Sequence, residues 1–272
     1  MNLSLCSLSS GSSGNSYLVK TDNGSLIIDA GISASRIIKG IERTETKKEE
    51  LKALFVTHEH SDHVNGIRVL MKKLPELQLF ASRGTLQNLY QKGYLGSYEE
   101  IEKDRMHEIT TEDTIDVCGM HVRAFPVLHD SKEPFGYNIT KEEKSISIVT
   151  DTGLITEDIL YSVFESDILV LEANHDTEVL RQGSYPQFLK KRILGEEGHL
   201  SNMQAAKALC KILNMNNKKR CVLLAHLSDE NNNPALAEKT VCTILAQNGY
   251  FTGSDLYLGV LLRDRQSYMY NV

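Results

Sequence analysis

The sequence predicts an α/β (α+β) fold in a single domain spanning residues 1–272. Two observations lead there. Short strand-like runs alternate with segments of helical spacing along the whole chain, and ionisable residues gather just after the apolar runs. No repeat of fixed period, low-complexity block or convincing linker divides it, and 272 residues suffice to bury a sizeable core.

Leu3 to Leu8 alternates apolar and polar residues and reads as a strand with one buried face. The loop Ser9-Ser10-Gly11-Ser12-Ser13-Gly14-Asn15 could offer backbone N–H groups to a phosphate, but a mobile connection is the favoured reading. Tyr17-Leu18-Val19 and Leu26-Ile27-Ile28-Asp29 flank Asp22-Asn23-Gly24, and Asn-Gly between apolar runs signals a hairpin. A helix is expected over Ala34 to Ile41, then a charged connection from Glu42 to Glu50.

The densest chemistry follows the apolar run Ala53 to Val56. Thr57-His58-Glu59-His60-Ser61-Asp62-His63 places three imidazoles and two carboxylates on a turn before an amphipathic helix carrying Val64, Ile67, Val69, Leu70, Met71 and Leu74. Side chains alternate along an extended segment, so His58 and His60 can aim the same way while Asp62 and His63 face a second point. One segment thereby offers ligands to two neighbouring ions. Neutral imidazole with carboxylate suits zinc, manganese or ferrous iron.

Leu77 to Ala81 reads as a strand and Gly84 to Lys92 as a helix; His107 and His121 read as surface or satisfied sheet histidines. Met120 to Val127 forms a strand with His129 at its end, a candidate third ligand. Ser145 to Val149 runs into Asp151, whose two oxygens can bridge two cations or serve a turn. A helix is expected over Thr156 to Phe164 and a strand over Ile168 to Leu171, leading to Glu172-Ala173-Asn174-His175-Asp176. Ser201-Asn202-Met203-Gln204 has capping-box form before a helix carrying Ala205, Ala208, Leu209, Ile212 and Leu213. His199 precedes that helix N-terminus, a place that favours an anion and suits a phosphate contact or a leaving-group proton donor. Cys221 to Ala225 is a strand ending in His226, Asn233-Pro234 starts another helix, and Leu256 to Tyr268 looks like edge sheet.

With 41% hydrophobic and 24% charged residues, the chain reads as a globular protein of ordinary composition. A net charge of −6 gives no overall basic field for nucleic acid, although Lys190-Lys191-Arg192 and Lys218-Lys219-Arg220 weakly favour a polyanionic substrate. The five scattered cysteines form no C-x-x-C pair, which fits a reducing cytoplasm. No signal peptide or membrane-length apolar stretch is visible, so a cytoplasmic protein without a membrane partner is expected.

His58-x-His60-x-Asp62-His63, then His129, Asp151 and His226, resembles the metallo-β-lactamase superfamily at all seven ligand positions. More narrowly, Ser9 to Ser16, Leu171 to Asp176, Gly198-His199-Leu200-Ser201-Asn202 and Ala225-His226-Leu227-Ser228 are similar to the YycJ/WalJ exonuclease group of that superfamily. The resemblance implies a four-layer αββα sandwich with the site at one end of facing sheets, and a 5′→3′ DNA exonuclease with a part in repair. It implies two divalent ions, Zn2+ or Mn2+, one on His58, His60 and His129, the other on Asp62, His63 and His226, with Asp151 between them. Asp151 stands where the commonest β-lactamases carry Cys. Too few residues separate it from His226 for the second domain of ribonuclease J-type enzymes, and Leu171 replaces the His of the ribonuclease Z His-Glu-Ala-Thr element.

The expected chemistry is phosphodiester hydrolysis. Two cations ~3.5–4 Å apart bring the pKa of a shared water toward ~7, making hydroxide available for in-line attack. Asp62 can orient that nucleophile, and His199 is the candidate for contacting phosphate or protonating the departing oxygen. His175 and Asp176 either support the ligands or serve local turn chemistry, and with Ser201 they are the further candidates for supporting ligands or meeting substrate. A hydrolase of small cyclic phosphodiesters, thioesters or lactones is the alternative, and a non-catalytic metal-binding protein a third.

Overall fold

The computed structural model describes residues 3–96 and 101–272. The first sheet takes β1 (Ser4–Ser9), β2 (Ser16–Thr21), β3 (Gly24–Ile28), β4 (Leu51–Phe55), β5 (Gln78–Ala81) and β6 (Met106–Glu108). The second takes β7 (Thr114–Val117), β8 (Met120–Pro126), β9 (Phe135–Lys141), β10 (Lys144–Val149), β11 (Ile168–Glu172), β12 (Arg220–Ala225) and β13 (Leu256–Val260). A last strand, β14 (Tyr270–Asn271), returns to pair with β1, so the sheets run β14-β1-β2-β3-β4-β5-β6 and β13-β12-β11-β10-β9-β8-β7.

Period-two alternation sorts each strand between two cores. In β4, Ala53 and Phe55 enter the inter-sheet core beside Tyr17, Tyr137, Ile148 and Val170, while Leu54 turns to the outer layer. That outer layer is α1 (Ala34–Arg43), α2 (Ser61–Val64), α3 (Ile67–Lys73) and α4 (Arg83–Gln91), which press Ile37, Ile41, Leu70 and Leu89 onto the sheet. Across the molecule lie α5 (Glu157–Val163), α6 (Thr177–Gln182), α7 (Gln187–Leu194), α8 (Asn202–Met215) and α9 (Pro234–Gln247). Of these, α5, α8 and α9 cover Leu169, Leu171, Val222 and Leu224. The result is the expected αββα sandwich. Each fully buried Leu, Ile or Phe contributes about 1.5–3 kcal/mol.

The hairpin turns through Asp22 and Asn23, with Thr21 opposite Gly24. Ser201 and Gln204 form the expected capping box, and Asn233 caps α9 with Pro234 in its first turn. Three expectations need correction. β1 is buried on both faces, because Leu5 meets the inter-sheet core while Cys6 and Leu8 meet the layer containing α1. The helix after the histidine-rich turn is two pieces, α2 and α3, separated at Gly66. There the N–H donates to Ala30 O at 2.7 Å, and a Cβ would lie 2.2 Å from Ile32 O. The tail is edge sheet only through β13, which is parallel to β12; the chain then crosses to place β14 against β1.

Candidate metal centre

Strand ends deliver the chemistry to one rim. His58 to His63 follow β4, His129 follows β8, Asp151 follows β10 and His226 follows β12 directly. Asp29, Asp151 and His226 adopt left-handed backbone conformations, with φ of 62°, 57° and 56°. Such a conformation costs a non-glycine residue of order 1–2 kcal/mol and persists only where the surroundings hold it. Here it turns each polar side chain out of the strand direction at the moment the strand ends.

The seven side chains expected from distant parts of the sequence converge. Donor atoms of His58, His60 and His129 lie within 4.8 Å of one another, as do those of Asp62, His63 and His226. His60 Nδ1 is 3.2 Å from His129 Nε2, and Asp62 Oδ2 is 3.3 Å from His226 Nε2. Asp151 stands between the sets, its Oδ2 3.2 Å from His63 Nε2 and its Oδ1 3.5 Å from His226 Nε2 and 3.8 Å from His129 Nε2. His58, His63, His129, Asp151 and His226 are buried, whereas the side chains of His60 and Asp62 are 27% and 21% exposed and open the rim to solvent.

Hydrogen bonds behind the rings assign their tautomers. His129 Nδ1 lies 3.1 Å from the carbonyls of Glu197 and Gly198; only an N–H satisfies a carbonyl, so the Nε2 lone pair faces the cluster. His63 Nδ1 donates to Asp29 Oδ2 at 2.7 Å, and His226 Nδ1 to Glu172 Oε1 at 2.8 Å. Thr57 gives its hydroxyl proton to Asp29 and so accepts from His58 Nδ1, leaving His58 Nε2 bare. Among the described residues that buried nitrogen has no hydrogen-bond partner, and Asp151 Oδ2 has none of good geometry despite its closeness to His63 Nε2. Buried polar atoms left this way imply a missing partner. The donor set of imidazole nitrogens and carboxylate oxygens fits a divalent ion.

Electrostatics divide the histidines. Burial drives His58 far below the ordinary imidazole range and lowers His129 to about 4, so both rings are neutral. For His63 and His226 burial acts the same way, but carboxylates outweigh it. Asp151, Asp29 and Asp62 raise His63 well above its usual value, and Asp151, Asp62 and Glu172 raise His226 to about 10. Those imidazoles in turn hold Asp62 and Asp151 below the carboxylate range against the opposing effect of burial. The protein has built a site of concentrated negative charge in which protons stand where cations would.

His199 joins this group. Its Nδ1 donates to Glu172 Oε1 at 2.8 Å, and its ring centre lies 5.0 Å from that of His129 and 5.3 Å from that of His226. Ser201 and Asp176 lead elsewhere: Ser201 Oγ is taken up with Gln204 in the α8 cap, and Asp176 Oδ1 accepts from the N–H groups of Glu178 and Val179 to cap α6. His175 is buried behind the site with neither ring nitrogen hydrogen-bonded among the described residues, and burial lowers it to about 4. Its main chain pairs with that of Ser201. His107 and His121 satisfy themselves on Gln78 and Asp116 within the sheets.

Three contributors escaped the sequence reading of the site. Glu172 accepts from both His199 and His226 through Oε1, and from the N–H groups of Thr152 and Leu200 through Oε2 at 3.1 Å each. Asp29 accepts from His63 and from Thr57 N. Both acids close an apolar strand as Asp151 does, and that shared signal marks them. The third is the Ser/Gly loop. Rather than a mobile connection, it is a buried brace: Asn15 Nδ2 lies 3.2 Å from His63 Nε2, Asn15 N donates to Asp62 O, and Ser10 Oγ accepts from His226 N at 3.0 Å.

Comparison with known proteins agrees with this geometry. A family model described as a beta-lactamase superfamily domain matches residues 25–226. Exodeoxyribonuclease WalJ of Streptococcus pneumoniae is 39% identical over 248 residues, covering 91% of this chain and 90% of the relative. Exodeoxyribonuclease YycJ of Bacillus anthracis is 33% identical over 253 residues, covering 93% of each. Among solved structures, the metallo-β-lactamase fold protein YhfI of Bacillus subtilis superposes over 100% of both chains with a TM-score of 0.71 at 14% identity. Zn2+-bound PqqB of Methylobacterium extorquens does so over 97% of this chain and 99% of its own, with a TM-score of 0.70 at 16% identity. At those identities the two structures speak for the fold alone.

Proposed function

The chain belongs to the metallo-β-lactamase superfamily, and from that premise we propose that it is a metal-dependent phosphodiesterase that degrades DNA from the 5′ end, with a role in repair. The observation that carries the DNA reading is 39% identity, over 91% of the chain, to a protein named an exodeoxyribonuclease. In this reading His58 Nε2, His60 Nδ1 and His129 Nε2 would hold one Zn2+ or Mn2+, and Asp62, His63 Nε2 and His226 Nε2 a second, with Asp151 serving both. Five free cysteines fit a cytoplasmic setting. No helix among the described residues is long and apolar enough to cross a membrane.

Bound divalent ions supply an acidified water and positive charge against the phosphate oxygens. The chain's own residues do the rest. Asp29, Thr57, Glu172 and the carbonyls of Glu197 and Gly198 fix which nitrogen His58, His63, His129 and His226 present, so these rings need little reorganisation at the moment of reaction. Asp62, the exposed carboxylate of the set, stands where it can orient a nucleophile. His199 Nδ1 is committed to Glu172, leaving Nε2 to meet a phosphate oxygen or give a proton to the leaving oxygen. Glu172 also engages both Nδ1 atoms with one oxygen, which makes it a positioning residue rather than a ligand.

The test offers end-labelled duplex DNA, single-stranded DNA, RNA and a small generic phosphodiester side by side, with manganese or zinc. DNA shortened from the 5′ end, with activity lost in Asp62→Ala and Asp151→Ala, is the expected result. Hydrolysis of the small diester alone would replace this reading with that of a small-molecule hydrolase.

A further inference from the structure

The two basic runs of the sequence have different fates. Lys218, Lys219 and Arg220 are engaged within the fold: Lys218 pairs with Asp167, Lys219 Nζ donates to Gly253 O, and Arg220 binds the carbonyls of Phe164 and Asn216. In the other run only Lys190 turns inward, its Nζ donating to Arg181 O and Gly183 O and so pinning the start of α7. Lys191 and Arg192 remain on the surface. Arg192 reaches the metal centre's rim, where Asp130 takes its Nε and Nη2. Asp130 Oδ1 lies 3.5 Å from His129 Nε2 and 3.9 Å from His60 Nε2. Of the five guanidinium hydrogens, those on Nη1 and one on Nη2 are left over from the Asp130 pair.

One helical turn before Arg192 stands Phe188, whose side chain is 74% exposed. Residues four apart share a helix face, so Phe188 and Arg192 leave α7 on the same side, their Cα atoms about 6 Å apart along the axis. A large aromatic this exposed gains little from the fold. Beside the pair, a recess of about 490 Å³ is lined by Asp130, Lys191, Arg192, Gly195, Glu196 and Glu197. Asp130, Glu196 and Glu197 repel a phosphate, so only the Lys191 and Arg192 part of this lining can hold one.

Resting on the nuclease reading above, we infer that the outer face of α7 is the track for the single strand entering or leaving the centre. Phe188 stacks on a base, and Arg192 with Lys191 holds the adjoining phosphate. Stacking needs a π face and is indifferent to base identity, which suits an enzyme that must pass every sequence. Asp130 positions Arg192 by fixing one edge of its planar fork while the other edge faces the strand. In a chain of net charge −6, Lys191 and Arg192 supply the local cations for that contact.

The test is steady-state degradation of a labelled oligothymidylate by the manganese-loaded full chain carrying Phe188→Ala, Phe188→Leu, Phe188→Trp or Arg192→Ala. Phe188→Ala and Phe188→Leu should raise KM roughly 5- to 150-fold with far less change in kcat, and Phe188→Trp should restore it. Arg192→Ala should raise KM and shrink the slope of log KM against log salt by about 0.7. Wild-type KM in Phe188→Ala overturns the inference, as does a Leu variant as good as Phe, which marks plain apolar contact. So does a concentration-dependent self-association abolished by Phe188→Ala, which marks a protein interface. These results leave the nuclease reading standing. A wild-type chain inert on DNA removes both.

Discussion

At the scale of single residues, the side chains behind the donors matter as much as the donors. Glu172 is the sharpest case: one buried carboxylate accepts four N–H groups, two from the imidazoles of His199 and His226 and two from the backbone. In Glu172→Gln one oxygen survives, but the amide nitrogen turns donors toward donors and the charge opposing His226 is gone. Metal affinity should fall 10- to 100-fold. The metal-free protein should lose about 3 kcal/mol, because a buried imidazolium is left without its partner. Titration with manganese and denaturant unfolding of the chelated protein check the two. Unchanged affinity would mean that Glu172 does not orient His226.

Residue identity was legible where chemistry is concentrated and faint where it is spread. The run from Thr57 to His63 announces itself because nothing structural requires five donors in seven residues. His129, Asp151 and His226 each stand alone and become visible only as polar residues closing apolar strands within a family-like order. Asp29 and Glu172 carry the same strand-end signal, but their roles depend on which imidazole lies opposite, and only the folded chain decides that. Ser201 and Asp176 show the reverse: a purely local pattern, the helix cap, accounts for their side chains.

At the scale of elements, the strand ends are the device that builds the centre. Three of the site's polar residues, Asp29, Asp151 and His226, sit in left-handed geometry directly beyond or two residues past their strands. Gly31 complements them by close approach, since a Cβ there would lie 1.7 Å from Asp62 O. The sequence shows the strands but not this geometry, because none of the three left-handed positions is a glycine. A backbone test follows. His226→Ala and His226→Gly remove the same contacts, so their difference reports the conformation. In chelator, the Gly variant should be more stable than the Ala variant by about 1 kcal/mol, reversing the usual order of the two residues. Equal stability, or Ala ahead, would show that the strand end relaxes when the imidazole is lost.

At the scale of the molecule, two facing sheets bring together segments as distant as Asp29 and His226, and the cost is a rim of carboxylates and imidazoles buried in each other's fields. Without cations, stability must depend on protons. His226 is raised from 6.5 to about 10 when folded, so its contribution is complete below pH 6.5 and declines as pH climbs toward 10. Glu172 is lowered from 4.5 to about 2, against burial and by His199 and His226, so its contribution is complete above pH 4.5 and declines toward 2. The chelated protein should therefore lose roughly 5–10 °C of Tm between about pH 6.5 and 8.5. Manganese should flatten that slope by replacing the protons. A chelated Tm that holds or rises over this range would contradict the charge arrangement described here. The mixture of strands and helices was readable from their alternation, whereas the four-layer arrangement followed only from the family resemblance. The fully buried β1 and the crossing of the tail to β14 were not, because both depend on which surfaces the opposite layer covers.

The most direct measurement is anomalous diffraction from crystals grown with manganese. Two peaks are expected per chain, one among His58, His60 and His129, the other among Asp62, His63 and His226, with Asp151 reaching both. A single peak, or ions bound away from these seven side chains, would contradict the account.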